Sequence, residues 1–348
     1  MRRRDVLKGA GGAVVCASPL KVLGRSRLPR ETEIQTVEGT PRLQLRRRRG
    51  SGRAVLYVHG ATFPSALSVG YRFADGVSWE DALASEGFDV WALDFEGFGG
   101  SERPAAFSHA PGSAPPTLRA PDAASQIARA AEHILHARSD ADPIGVIAHS
   151  WGTIPAAIFA SDNPGRVSAL VMFGPILARP APKGAPIPAF DRLPAWRLMT
   201  LAEQLARFTE DAPTGQAPVL EEPHLARWGP AWLATDPEAA TRTPPAVKIP
   251  GGPIADIVAT WSGRALYDPG RLPLRTLVVR GAWDSLCTDA DAARFASAFG
   301  GRRMSDVVAP RATHLMHLEE GRFALYAAAN AFLKGQSAEE AAARIRPK

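Results

Sequence analysis

Short apolar segments alternate with amphipathic segments along most of the chain, and this alternation restricts the fold more than any other feature. The apolar segments are predicted to be β-strands, at residues 34–38, Leu43–Arg48, Ala54–Val58, 89–95, 144–148, Val167–Phe173, 274–280 and 305–309. Segments with helical spacing lie among them, at residues 78–86, 122–138, 151–160 and 320–334. Strands that alternate with helices predict an α/β fold with a mostly parallel, doubly wound sheet.

Residues 176–262 interrupt this alternation. They hold 14 of the 31 prolines and four of the eight tryptophans, and one helical pattern stands out, at residues 198–208. An insertion of this length is better explained as a lid (cap) than as a loop, and we expect it to lack strands. The predicted domains are an α/β core at residues 30–175 and 263–335, the lid at residues 176–262, and a C-terminal tail at residues 336–348.

Composition and charge exclude several classes of protein. The 348 residues are 45% hydrophobic and 22% charged, which is ordinary for a globular protein. Two cysteines exclude a disulfide scaffold, and no His or Cys cluster predicts a metal or a cofactor. Residues 1–24 account for +4 of the net charge of +6. The remaining basic run, residues 46–49, is typical of a solvated strand end, so we expect no nucleic-acid partner.

The N-terminus has the pattern of an export signal. Arg3 and Arg4 precede a short apolar stretch rich in Gly and Ala, which resembles a bacterial twin-arginine signal peptide over residues 1–24. Arg2 and Val6 depart from the usual motif, which has Ser or Thr and Phe at these positions. The resemblance implies a periplasmic or secreted protein that contacts the membrane only transiently, through the export machinery.

A serine lies between a predicted strand and a predicted helix, in the run Ala148-His149-Ser150-Trp151-Gly152. This context is that of a nucleophile elbow, a tight turn that exposes the serine hydroxyl at the carboxyl end of a strand. The elbow needs small residues beside the serine because neighbouring backbone comes close. Gly152 meets this need, and Ala148 replaces the more usual first glycine.

A nucleophilic serine needs a base, and the base needs an orienting acid. His314 and Asp284 follow the last two predicted strands, so both reach the same edge of the sheet as Ser150. The alternatives for the base are His149 and His317. The alternatives for the acid are Asp94, Asp289 and Asp291, of which the last two are more typical of a helix start.

With these motifs the sequence resembles the α/β-hydrolase family over about residues 34–335. The landmarks are His59-Gly60 after the third strand and the run at residues 94–101 after the fourth. The resemblance implies that Ser150 is the nucleophile, His314 the base and acid, and Asp284 the orienting acid. It also implies an oxyanion hole made by the N–H groups of Ala61 and Trp151. The Thr62 hydroxyl is a further candidate.

The expected activity is hydrolysis of carboxylic esters of small molecules through an acyl-enzyme. The aromatic lid predicts a preference for medium, apolar or aromatic substrates over acetyl esters and over highly charged ones. Trp151 after the serine resembles the proline-iminopeptidase group, but Ala148-His149 stands where that group has two glycines. A peptidase or amidase is therefore the first alternative, followed by a lactonase, an acyltransferase or a cofactor-free oxidoreductase. The complete set of three residues disfavours a non-catalytic binding protein.

Overall fold

The structure is a computed structural model. It describes residues 31–138, 142–181, 184, 189–216, 220, 222–300 and 304–345. The predicted signal peptide at residues 1–24 lies outside the described residues.

Strands alternate with helices, as the apolar pattern predicts. In chain order the strands are β1 (Glu33–Val37), β2 (Leu43–Arg48), β3 (Ala54–Val58), β4 (Asp89–Asp94), β5 (Ile144–His149), β6 (Val167–Phe173), β7 (Trp196–Thr200), β8 (Ala246–Pro250), β9 (Thr276–Gly281) and β10 (Met304–Ala309). Within the described residues an eight-stranded sheet has the order β1-β2-β4-β3-β5-β6-β9-β10. Strands β1 and β2 pair antiparallel to their neighbours, and the other six run parallel.

Helices cover both faces of this sheet. In chain order the helices of the described residues, on the sheet faces and in residues 176–262, are α1 (Trp79–Ser85), α2 (Ala120–His136), α3 (Thr153–Asp162), α4 (Leu201–Ala206), α5 (Glu222–Leu233), α6 (Gly252–Trp261), α7 (Asp289–Phe299), α8 (Arg322–Leu333) and α9 (Ala338–Ala343). Alternate residues of β3 face opposite sides: Leu56 packs with α2 and α3, whereas Tyr57 packs with α1 and α8. No helix in the described ranges is long and apolar enough to cross a membrane.

The direction in which the chain winds reverses beside β3. The chain passes from β3 to β4 on one side and then crosses to β5 on the other side. Loops that leave the carboxyl ends of β3 and β5 therefore flank a crevice, which is where open α/β sheets bind their ligands. The two loops contain His59-Gly60 and Ser150, so the topology brings the predicted site residues to one place.

Residues 176–262, here called the insert, contain two strands, so the expectation of a strand-free lid is wrong. β7 and β8 form a separate antiparallel pair, with Trp196 opposite Pro250 and Thr200 opposite Ala246. The helix predicted at residues 198–208 is shortened to α4. The apolar spacing across these residues fits a helix, but pairing with a segment almost fifty residues later takes precedence over this local pattern.

The C-terminal segment is also more ordered than a tail. Residues 338–343 form α9, whose first turn is capped by Ser337. Ala338 is buried together with Leu325 and Phe332 of α8. The described part of residues 336–348 therefore completes one face of the core, because even a six-residue helix is stabilised when its apolar side is buried.

Candidate active site

Ser150 occupies the tight turn predicted between β5 and the next helix. Its φ is +54°, in the left-handed region that few residues other than glycine adopt, and a single 3-10 turn leads from it into α3. Gly152 is required there because a Cβ would lie 2.2 Å from the carbonyl oxygen of His59. The elbow therefore packs directly against the end of β3 and presents the serine at the crevice.

Three predicted side chains form a continuous chain of hydrogen bonds. Both carboxylate oxygens of Asp284 lie 3.1 Å from Nδ1 of His314, and Nε2 of His314 lies 2.8 Å from Oγ of Ser150. A carboxylate only accepts, so Nδ1 carries the hydrogen and Nε2 accepts from the serine hydroxyl. All three side chains are buried or nearly so, which keeps bulk water from competing for these bonds.

The carboxylate of Asp284 is held by its own loop, and a nearby glycine leaves room for its contact with His314. Its Oδ1 accepts hydrogen bonds from the backbone N–H groups of Leu286 at 2.9 Å and Cys287 at 3.0 Å. Gly174, just after β6, has a φ of +50°, and a Cβ there would lie 3.0 Å from Nδ1 of His314. Gly174 is not among the predicted site residues; the available signal is a glycine directly after a buried strand.

The loop that carries His314 is fixed by Glu319, which is fully buried. The Glu319 carboxylate accepts from the Thr313 N–H at 2.9 Å and from the Thr313 hydroxyl. The same hydroxyl accepts from the Leu315 N–H at 3.1 Å. Burial raises the pKa of Glu319 to about 7, against the weaker opposite effect of the Thr313 hydrogen bonds. The short separation of His314 and Glu319 in the sequence is thus explained by the loop that Glu319 fixes through Thr313.

The alternative bases do not reach Ser150 through a hydrogen bond. His149 donates from Nε2 to the His314 carbonyl at 3.2 Å and stacks on Phe173. Both ring nitrogens of His317 lack a partner within the described residues. Burial lowers the pKa of His317 to about 3, so this ring is neutral at ordinary pH. Burial also lowers the pKa of His149, with the neighbouring histidines adding to the effect.

The alternative acids have structural roles. Asp291 forms a capping box with Thr288 at the start of α7, and Asp289 is an exposed partner of Arg280. Asp94 accepts from the N–H and hydroxyl of Ser65 and so orders the loop after β3. No group of three or more His, Cys, Asp or Glu side chains in the described ranges is arranged to hold a metal ion.

The residues expected for the oxyanion hole lie on the two sides of the crevice. Ala61 and Thr62 line a cavity that Ser150 also lines, and Trp151 directly follows the serine. The Trp151 side chain is fully buried, and its indole N–H donates to the Asp256 carboxylate at 3.0 Å. Asp256 belongs to α6, so the insert holds the residue that follows the serine.

The cavity has a volume of about 130 Å³ and mainly apolar walls. The core contributes four apolar side chains, Ala61, Phe63, Leu286 and Leu315. The insert contributes six more apolar residues, Ile249, Pro250, Pro253, Ile254, Ile257 and Trp261. It also contributes two charged side chains, Arg197 and Arg207. Neither arginine is among the predicted site residues, because only the pairing of β7 with β8 brings this region over the serine.

The insert tryptophans mostly hold the insert in place instead of forming the wall of the cavity. Among the described lining residues, Trp261 is the only one of the four. The buried indole of Trp232 donates to the Thr62 carbonyl at 3.0 Å, and that of Trp228 donates to the Leu67 carbonyl at 2.9 Å. These bonds join α5 to the loop after β3. The apolar wall expected from the tryptophans comes instead from the end of β8 and from α6.

Comparison with known proteins identifies the family. Residues 72–321 match the family described as serine aminopeptidase S33, whereas no curated protein matches the chain. Similar solved structures include the thioesterase domain from the curacin biosynthetic pathway (16% identity, TM-score 0.58, 86% of this chain and 99% of that chain). The epoxide hydrolase VrEH1 from Vigna radiata is similar over 88% of this chain and 98% of its own, with 16% identity and a TM-score of 0.57.

A serine hydrolase involved in carbazole degradation, the CarC enzyme, is similar over 88% of this chain and 100% of its own, with 16% identity and a TM-score of 0.56. At this identity the likeness concerns the fold alone, and these proteins are hydrolases of different kinds. The family match covers well over half of the chain and agrees with the sheet order and the serine elbow. The chain therefore belongs to the serine aminopeptidase S33 family of α/β-hydrolases.

Proposed function

We propose that this hydrolase cleaves carboxylic esters of small molecules through an acyl-enzyme. The observation that carries the proposal is the chain of hydrogen bonds from Asp284 through His314 to Ser150, which ends at a cavity. An activated serine attacks carbonyl carbon, so the arrangement suits acyl transfer. Opening an epoxide, the reaction named for one structural relative, is disfavoured because related enzymes of this kind use aspartate as the nucleophile.

The three side chains have distinct roles in the proposed reaction. Ser150 Oγ attacks the ester carbon while His314 Nε2 accepts its proton, and His314 then gives that proton to the leaving alcohol. Asp284 keeps the hydrogen on Nδ1 and stabilises the imidazolium that forms. Water then attacks the acyl-enzyme by the same proton transfers and releases the carboxylic acid and free Ser150.

The negative charge of the tetrahedral intermediate would be held by the backbone N–H groups of Ala61 and Trp151. Both belong to segments that are fixed in the protein: Trp151 through its bond to Asp256, and the loop at Ala61 through the bond from Trp232 to Thr62. Fixed donors stabilise developing charge without reorganising during the reaction, and this effect is often the largest in acyl transfer.

The cavity sets the expected size of the substrate. A cavity of about 150 Å³ accommodates one benzene ring, so the 130 Å³ here suits an aromatic ring or a chain of similar size. Burying such a group is favourable by about 25 cal/mol for each Å² removed from water. We therefore propose that medium apolar or aromatic esters are cleaved better than acetyl esters.

An aminopeptidase is the second candidate, because the family is described by that activity. An aminopeptidase must hold the charged α-ammonium group of its substrate, which calls for a carboxylate in the cavity. The described lining residues include no Asp or Glu and instead include Arg197 and Arg207. Two guanidinium groups repel an ammonium, so this observation favours the ester reaction.

The test is a comparison of kcat/KM across 4-nitrophenyl esters of increasing acyl length and aminoacyl 4-nitroanilides. We expect a maximum at roughly four to six acyl carbons, the size that the cavity admits. The nitroanilides should be cleaved far more slowly. A maximum at acetate would contradict the proposed substrate size, and faster cleavage of the nitroanilides would favour the peptidase.

We also propose that the chain is exported by the twin-arginine pathway. The support is the sequence Arg3-Arg4 before a short apolar stretch, at residues outside the described structure. Replacing both arginines by lysine removes the planar guanidinium groups and should retain the precursor in the cytoplasm. Unchanged export of this double variant in cell fractionation would refute the proposal.

A further inference from the structure

Two arginine side chains line the same cavity as Ser150. Arg197 belongs to β7, and Arg207 directly follows α4. No Asp or Glu is among the described residues of the cavity wall. A guanidinium stays protonated in proteins, so this part of the cavity carries two positive charges at any ordinary pH.

Neither guanidinium has a close acidic partner within the part of the chain that the structure describes. The hydrogen-bond contact of Arg197 is with the sulfur of Met199, at 3.9 Å, and a thioether is a weak acceptor. Nη2 of Arg207 lies 3.7 Å from Oε1 of Glu210, which is too long for a hydrogen bond. The side chain of Glu210 is also about half exposed to solvent, so it compensates the charge of Arg207 weakly.

Other arginines in and around the insert are paired differently. Arg242 contacts the buried carboxylate of Asp236 at 2.8 Å, and Arg179 contacts the buried carboxylate of Asp291 at 2.8 Å. Arg242 and Arg179 have an evident structural role, because each connects one segment of the chain to another through its ion pair. Arg197 and Arg207 do not have such ties, so packing of the insert does not explain why charged residues stand at the cavity.

The electrostatics of the cavity favour an anion. Burial lowers the pKa of Arg197, and the nearby charge of Arg207 acts in the same direction, against the opposite effect of Glu203. Two cations that are partly removed from water repel each other, and an anion between or beside them relieves that repulsion. A guanidinium offers paired N–H donors that match the two oxygens of a carboxylate.

We propose that Arg197 and Arg207 form an anion subsite that selects esters carrying a second, free carboxylate. The remaining cavity wall is mainly apolar, so the substrate combines an apolar body with one terminal negative charge, as in the half-ester of a dicarboxylic acid. This inference rests on the proposed ester hydrolysis at Ser150. The expectation from sequence disfavoured highly charged substrates. The inference refines it, because a single carboxylate at the insert side of the cavity should increase kcat/KM.

The first experiment uses the unaltered protein and a matched pair of substrates, the 4-nitrophenyl half-ester of adipic acid and 4-nitrophenyl hexanoate. The two acyl groups have the same length and differ in the terminal carboxylate. We expect kcat/KM to be about 10- to 100-fold higher for the half-ester, since charge-assisted hydrogen bonds typically have this effect. Adipate should also inhibit hexanoate hydrolysis competitively.

The second experiment replaces each arginine by methionine, which keeps an unbranched side chain and removes the charged guanidinium group. Arg197→Met and Arg207→Met should each lose most of the preference for the half-ester, because the KM for the half-ester should rise and kcat/KM for hexanoate should fall much less. Arg192→Met is the matched control, because Arg192 is an exposed arginine of the insert that does not line the cavity. It should keep the preference.

The outcomes separate this inference from the proposed function. Hydrolysis of both esters with equal kcat/KM and no inhibition by adipate would overturn the anion subsite and leave ester hydrolysis intact. An equal loss on both substrates in correctly folded Arg197→Met and Arg207→Met would also overturn it. Failure to cleave either ester would instead refute the proposed function. The first experiment needs no variant, so a misfolded variant does not prevent a decision.

Discussion

At the scale of single residues, the position of His314 is fixed by contacts with its neighbours. Gly174 leaves the space in which the imidazole and the Asp284 carboxylate meet. Glu319 and Thr313 hold the loop on the other side. The sequence indicated Ser150, His314 and Asp284 because each follows a recognisable strand. It did not indicate Gly174, because the need for a glycine depends on side chains over a hundred residues away.

The choice between the two neighbouring histidines gives a direct prediction. His314→Ala should lower kcat by about 10⁴-fold or more, because the base and acid of both steps is lost. His317→Ala should lower it less than about tenfold, since His317 packs against Phe63 and Phe173 and makes no hydrogen bond to Ser150. Steady-state kinetics on a neutral ester would test this, with thermal unfolding as the control. An inactive His317→Ala beside an active His314→Ala would make the assignment wrong.

The buried carboxyl of Glu319 predicts a dependence of stability on pH. Its pKa is raised from 4.5 to about 7 on folding, so the folded state keeps the proton that the unfolded chain releases. The stabilisation from this group is therefore complete below pH 4.5 and is lost as the pH rises to about 7. Glu319→Gln should not show this loss of stability. The free energy of unfolding of the variant, minus that of the unaltered protein, should therefore increase from pH 4.5 to about 7.

Denaturant unfolding between pH 4.5 and 8 would measure this difference. The exposed neighbour Glu320 offers a matched control, and Glu320→Gln should leave the pH dependence unchanged. A constant difference between Glu319→Gln and the unaltered protein across the range would show that burial does not shift this carboxyl.

At the scale of elements, α5 fixes the loop that is proposed to hold the oxyanion. Trp232 donates to Thr62, one residue from Ala61, whereas Trp228 donates to Leu67, further along the same loop. Trp232→Phe should lower kcat about two- to tenfold, the typical effect of one net hydrogen bond, with KM little changed. Trp228→Phe loses a similar indole bond and serves as the control. Equal losses of kcat in the two variants would indicate a general effect of packing.

The elements differ in how far the sequence determines them. The start of α1 is determined locally, because Ser78 and Asp81 form a capping box from residues three apart in the sequence. Strands β7 and β8 contain no such signal, because each is stabilised by the other across a long separation. The local pattern at residues 198–208 therefore gave a helix where the first part is a strand.

At the scale of the whole molecule, the sheet order explains why a serine, an acid and a histidine from distant segments meet. The carboxyl ends of β3, β5, β6, β9 and β10 lie at one edge of the sheet. The insert, which follows β6 and precedes β9 in the chain, covers that edge. Alternating strands and helices were sufficient to predict this edge. They were not sufficient to predict the charge of the cavity, because Arg197 and Arg207 reach it only through the folded insert.

The measurement that tests the central claim most directly is covalent labelling with a fluorophosphonate followed by peptide mass spectrometry. We expect one adduct, on the peptide that contains Ser150, together with loss of ester hydrolysis. Ser150→Ala should fold, as judged by its thermal unfolding, and should neither react with the probe nor cleave esters. Labelling of a different serine, or ester hydrolysis that survives in Ser150→Ala, would contradict the account.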